Sequence, residues 1–230
     1  MALPFLPYIV VGILHLVSQL FGIDALTAIT KPLLMPALLV ALLWALPRRR
    51  GEVALLASLA ILFGWLGDVS LMDAGPGFLI GLGFFLLGHV AYLTLFWRRM
   101  RVRARPRWWA GVYLVWWVAL VGILAPHAGA MLAPLALYGL VLGALAAVGS
   151  ACNRWIAIGS AAFLVSDSLL GFRLFLPGFH PWQIDFLIML TYLAGQGLMV
   201  AGIVRTVTGR RAAGEPVEVS AAPRAPGRAG

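Results

Sequence analysis

The chain has 230 residues, 62% of them hydrophobic and 11% charged, with a mean hydropathy of +0.97. Soluble domains are near half apolar and a quarter charged, so this composition excludes an ordinary water-soluble enzyme and equally a disordered or fibrous chain. The net charge of +9 is carried by 16 arginines and a single lysine, Lys31.

A membrane core of roughly 30 Å takes about 20 apolar residues per helix. In chain order, apolar runs occupy 4–22, 31–47, 52–71, 77–97, 108–126, 130–151, 154–172 and 183–205. Each exceeds the length of a strand, and Leu, Ala and Gly dominate, so the reading is all-α: a polytopic bundle of eight transmembrane helices. Breakers or charges separate the runs, among them Pro47-Arg48-Arg49-Arg50-Gly51, Asp73-Ala74-Gly75-Pro76-Gly77, the arginine-rich 98–107 and Pro177-Gly178-Phe179-His180-Pro181. Residues 1–208 form the membrane domain, and 209–230, rich in Ala, Gly, Pro and Arg, are expected to be a disordered cytoplasmic tail. The start, Met1-Ala2-Leu3-Pro4-Phe5, has no basic segment, so a cleaved signal peptide is not expected.

Charge orients the spans. With loops 48–51, 98–107 and 152–154 and the C-terminal segment on one side, that side holds 15 of the 17 basic residues and leaves Lys31 and Arg173 opposite. The positive-inside rule makes the arginine side cytoplasmic, and eight spans put both termini there. The expected location is multi-pass in a membrane, taken as a bacterial plasma membrane. Loop arginines set orientation and touch anionic lipid, so the expected partner is the bilayer. Nucleic acid is not expected, since no basic stripe interleaves with exposed aromatics. Trp44, Trp97, Trp108, Trp109 and Trp182 lie near span ends and read as an interfacial belt. The lone Cys152 excludes an internal disulfide and a multi-cysteine metal site.

The two halves echo each other. Asp68-Val69-Ser70-Leu71 ends the third span and Asp167-Ser168-Leu169-Leu170 ends the seventh, 99 positions later; Gly88-His89 and Gly195-Gln196 follow in the next spans. Four spans per half make this a parallel 4+4 repeat.

Ionisable residues inside spans are expensive and mark candidate sites. They are Lys31, Asp68, His89 and Asp167, with His15, Arg173 and Asp185 nearer span ends. At 1.5 Å per residue, Asp68, Asp167 and Lys31 stand about 24, 20 and 25 Å from the nearest arginine-side charge. His89 and Gln196 stand about 14 Å up. The expectation is two polar layers, an outer one of two carboxylates and a lysine, and a deeper one of imidazole and amide. Plainer roles compete: Lys31 as a snorkelling side chain, His89 as a helix–helix hydrogen-bond partner.

Lys31-Pro32 opening the second span, Gly67-Asp68 with Leu71, Gly88-His89 with Tyr92, and Ser166-Asp167 with Leu170 together resemble the YhhN-like lysoplasmalogenase family, over essentially residues 5–205. The resemblance implies an eight-span hydrolase that cleaves the vinyl ether bond of lysoplasmalogens. The products would be a fatty aldehyde and glycerophosphoethanolamine or glycerophosphocholine. It implies no cofactor, and the chain shows no metal or nucleotide pattern. The expected substrate is thus a lysophospholipid.

The chemistry agrees with that implication. A vinyl ether is hydrolysed by protonation of its β-carbon, giving an oxocarbenium ion that water captures. Two carboxyl groups in a low-dielectric site can divide the roles of acid and base, as in glycosidases. Asp68 and Asp167 are therefore the candidate catalytic pair, at the depth where a vinyl ether sits beneath its headgroup. Lys31 and Arg173 are candidates for the substrate phosphate. His89, Tyr92, Ser166 and Gln196 complete the candidate substrate site. His89 and Tyr92 share a helix face about 10 Å deeper than Asp68, a gap that helix tilt or a water chain would have to close; otherwise they line the chain pocket. No Gly-x-Ser-x-Gly elbow supports serine esterase chemistry. The rival reading is a secondary transporter or proton-coupled carrier using the same carboxylates. Against it, no span is broken at mid-membrane by a Gly/Pro pair.

Overall fold

A computed structural model describes residues 3–72 and 77–213. These form eight α-helices: α1 (Leu6–Leu20), α2 (Asp24–Ala45), α3 (Glu52–Ser70), α4 (Gly77–Leu95), α5 (Val112–Ala128), α6 (Leu132–Gly149), α7 (Arg154–Phe175) and α8 (Ile184–Ala212). No strand occurs among the described residues, so the all-α reading holds. Seven helical stretches are long and apolar enough to cross a membrane, and the protein is a multi-pass membrane protein.

One of the seven is Trp108–Gly149, and it is doubled back on itself. Gly129, with φ +50°, turns the chain between α5 and α6. The indole of Trp117 then donates to the Ala136 carbonyl at 2.8 Å across the hairpin. A Cβ on Gly139 would lie 3.2 Å from the Trp117 ring, so the missing side chain is what lets the two arms close.

The second span starts earlier than its sequence suggests. Lys31-Pro32 reads as a helix opening, because proline favours the first turn. Instead α2 begins at Asp24, whose charge suits a helix start, and it carries Pro32 and Pro36 inside. Pro36 has no N–H for the Pro32 carbonyl, which would be costly to leave bare in a membrane. The Trp65 indole of α3 donates to that carbonyl at 2.9 Å. At the other end of the chain α8 runs on to Ala212, into the segment expected to be tail, while residues 73–76 and 214–230 lie outside the described residues.

The closest helix pairs are α7–α8 and α3–α4. Both meet at glycine. A Cβ on Gly88 of α4 would stand 3.1 Å from the Ala60 carbonyl and 3.6 Å from the Gly64 nitrogen of α3. One on Gly195 of α8 would stand 3.0 Å from the Gly159 carbonyl and 2.9 Å from the Phe163 nitrogen of α7. Ala60 and Gly64 precede Gly159 and Phe163 by 99 positions, the spacing that separates Asp68 from Asp167. The sequence echo is thus matched by the same close approach in each half.

At the arginine-bearing end, Glu52 at the start of α3 pairs with Arg98 and Arg99. Asn153 accepts from the Trp155 and Ile156 amides at the start of α7 and donates to the Gly202 carbonyl and Thr206 hydroxyl of α8. Both contacts fix this end of the bundle. Cys152 is buried there, and burial pushes its thiol up to about 12.

Candidate active site

The ends of α1, α3 and α7 and the starts of α2, α4 and α8 surround a cavity of about 390 Å³ at the end of the bundle opposite the arginine loops. Its polar lining is Gln19, Lys31, Asp68, Asp167, Arg173, Asp185 and Tyr192. Leu71, Phe78, Phe85, Leu170, Leu174, Phe175, Ile188 and Met189 make up the apolar wall. Asp68 on α3 and Asp167 on α7, far apart in sequence, therefore face one space.

Each carboxylate is held by a tyrosine from another helix. Tyr192 of α8 donates to Asp68 Oδ2 at 2.9 Å, and Tyr138 of α6 donates to Asp167 Oδ2. Asp68 is 5% exposed. A buried phenol needs a hydrogen-bond partner and a buried carboxyl needs donors, so each pairing satisfies both groups. Tyr192 packs edge-on against Phe85 and Phe163, which fixes the ring that presents its hydroxyl.

Of the other residues picked out by sequence, Lys31 lies in the wall of this cavity, on the second turn of α2, and makes no ion pair with a described residue. Arg173 also lines it, but its guanidinium pairs with Asp185 at 2.9 Å, an exposed bridge at the cavity mouth. Ser166, His89, Tyr92 and Gln196 do not line the cavity. Ser166 donates to the Ile188 carbonyl at 2.9 Å and joins α7 to α8. Tyr92 donates to Gln196 Oε1 at 2.9 Å, behind the cavity wall. His89 is buried between the rings of Tyr138 and Phe163, at centroid distances of 5.1 and 4.8 Å, and neither ring nitrogen has a hydrogen-bond partner among the described residues. The two expected layers are therefore linked by tyrosine rings: His89 stands one ring, Tyr138, away from Asp167.

Three residues here escape the sequence reading as members of the site. Tyr138 and Tyr192 sit in apolar runs where a tyrosine looks like any other aromatic filler. Gln19 ends α1, lines the cavity, and leaves its buried Oε1 without a partner. The signal available for all three was a polar group within an apolar run, the same feature that marks Tyr92 and Gln196.

A second, apolar pocket of about 50 Å³ adjoins the first between α4, α5, α6 and α7. Leu120, Leu124, Leu135, Gly139 and Gly171 are among its lining residues, and it shares Phe78, Asp167, Leu170, Leu174 and Phe175 with the main cavity. Asp167 thus stands at the junction of a polar chamber and a greasy slot. No group of three or more His, Cys, Asp and Glu side chains able to hold a metal occurs among the described residues.

A polar chamber bearing three carboxyls and two cations, opening on an apolar slot inside a membrane bundle, suits an amphiphile with a charged head. No curated protein and no solved structure matches the chain. The YhhN family matches residues 26–203, which takes in Lys31, both aspartates and both tyrosines. The chain therefore belongs to the YhhN family, the family of lysoplasmalogenases.

Proposed function

We propose that the protein hydrolyses the vinyl ether bond of lysoplasmalogens, with Asp68 and Asp167 as the acid–base pair. The observation that carries this reading is the shared cavity: two carboxyls from separate halves of the chain line one polar chamber, and one of them, Asp167, stands where that chamber joins an apolar slot. Bacterial plasma membrane is the location that fits such an activity best.

The geometry supports a division of labour. The substrate's alkenyl chain enters the slot past Asp167, which sets the chain-side β-carbon beside that carboxyl. Asp167 gives its proton to the β-carbon, and positive charge develops on the α-carbon and ether oxygen. Asp68, on the Lys31 side of the chamber, faces the headgroup half of the bond and stabilises the cation. It then takes a proton from the water that adds to the α-carbon. The resulting hemiacetal then breaks its bond to the glycerol oxygen: Asp68 gives its proton to that oxygen and Asp167 takes the proton of the hemiacetal hydroxyl, giving the aldehyde and the glycerophospho-alcohol and restoring both carboxyls. Each turnover consumes one water and needs no redox partner. Lys31 offers a cation to the phosphate, and Gln19 an acceptor to the free glycerol hydroxyl. Tyr138 and Tyr192 hold the two carboxyls in place.

Purified protein in neutral detergent, mixed with lysoplasmalogen, should release aldehyde without any ion gradient. In heavy water, with immediate reduction of the product, one solvent deuteron should appear on the carbon next to the former carbonyl. Folded protein that releases no aldehyde would overturn the proposal and favour a carrier.

A further inference from the structure

At the other end of the bundle lies a groove that the proposed chemistry does not use. It is open, about 770 Å³, and runs between the 102–109 segment with α5 and the first half of α7. Its rim carries Arg103, Arg107 and Arg154. Below the rim, Ala157, Ile158, Ala161, Ala162 and Val165 follow one face of α7, a strip about 12 Å long. Ile158 and Val165 are 57% and 46% exposed. One turn beyond Val165, the Trp116 indole of α5 donates to Ser168 Oγ of α7 at 3.1 Å.

The arginines of this end differ in their partners, and two of those on the groove, Arg107 and Arg154, lie over the rings of Trp109 and Trp155 at 5.8 and 5.4 Å. Arg98 and Arg99 are neutralised by Glu52, and Arg101 stacks on Trp97 at 3.8 Å. Arg103, Arg107 and Arg154 make no ion pair with a described residue. Three guanidinium groups, from a loop and from the start of α7, thus line a trough with no carboxylate among the described residues to meet them. A trough that is cationic at the membrane surface and apolar for two helical turns below matches a ligand with an anionic head and a hydrocarbon chain.

We infer that this groove is a binding site for an anionic phospholipid of the surrounding bilayer. The phosphate takes bidentate hydrogen bonds from the arginines at the rim, and an acyl chain lies along Ala157–Val165. A lipid seated there bridges α5 and α7, which touch directly over only a short stretch, and holds the α5–α6 hairpin against the rest of the bundle.

The test uses the full-length protein in neutral detergent. Phosphatidylglycerol should raise Tm by several degrees and remain bound in native mass spectra, because a ligand that binds only the folded state stabilises it. Phosphatidylcholine and inorganic phosphate should do neither. The variant R103Q/R107Q/R154Q should lose the effect, whereas R48Q/R49Q/R50Q and Asp167→Asn should keep it. Should the triple variant fail to fold, Ala161→Phe keeps every arginine and fills the trough, and it too should lose the shift. An equal response to phosphatidylcholine, an equal response to inorganic phosphate, or a shift that survives Ala161→Phe would each overturn the inference.

Discussion

The hydroxyl of Tyr192 on α8 donates to Asp68 on α3 at 2.9 Å, although 124 residues separate the two in the chain. The bond ties the proposed cation stabiliser to the opposite half of the bundle, whereas Tyr138 of α6 holds Asp167 from within its own half. Tyr192→Phe and Tyr138→Phe keep each ring and remove only the donor. Each should lower kcat by about tenfold or more while costing about 1–3 kcal/mol of stability, the cost of leaving a buried polar group without its partner. Aldehyde release and thermal unfolding, measured on the same samples, check this; unchanged kcat in both variants would reduce the tyrosines to packing.

Asp68→Asn and Asp167→Asn should each reduce activity about 10²–10⁴-fold in folded protein, the usual contribution of an acid or base. The double variant should be little worse than either single one, since groups acting as a unit are not additive. Added formate should restore part of the rate to Asp68→Gly, by replacing the base, and none to Asp167→Gly, which has lost the proton donor. Rescue of the Asp167 variant instead would reverse the two roles.

Lys31 makes no ion pair with a described residue, so its charge is available to a ligand. Lys31→Met should raise KM for lysoplasmalogen with little change in kcat or Tm. Arg173 already has Asp185 as a partner, and Arg173→Gln should affect KM less than Lys31→Met does. Steady-state kinetics on the two variants settle the order.

The α7–α8 contact leaves no room for a side chain at Gly195, whose added Cβ would lie 2.9 Å from the Phe163 backbone nitrogen. Gly195→Ala should destabilise the protein by about 1–3 kcal/mol, the cost of overpacking. Gly83, with nothing within 4 Å of its Cβ position, should accept alanine at no cost and gain up to about 1 kcal/mol of helix propensity. Paired thermal melts distinguish the two sites.

Eight crossings require both arms of the α5–α6 hairpin to traverse the bilayer. Reporter fusions at Gly129 and Gly178 should then report the outer side, and fusions at Gly51 and Arg103 the cytoplasm. A cytoplasmic signal at Gly129 would leave that hairpin on one side and break the orientation.

Much of this was open to a reading of the chain alone, because the forces involved are local. A run of about 20 apolar residues must become a helix in a membrane, where every backbone polar group needs an internal partner. That principle located the spans and put the arginines at one end. Helical rise alone placed Asp68 and Asp167 at one depth, and their equal setting in the two halves marked them as a pair. Pro32 misled the reading of α2, since a proline that opens a helix and one inside a helix look alike until Trp65 is seen to take up the freed carbonyl. The tertiary structure alone decided which faces of eight helices meet. Rotation about a helix axis leaves depth unchanged but decides whether a side chain looks into a cavity or into its neighbour. It turned Tyr138 and Tyr192 toward the carboxylates, sent Ser166 to a backbone carbonyl, drew Arg173 to Asp185 and left His89 between two rings. Those choices follow from packing between helices whose contacting residues are 12 to 124 positions apart in the chain, on which no local pattern of residues has a hold.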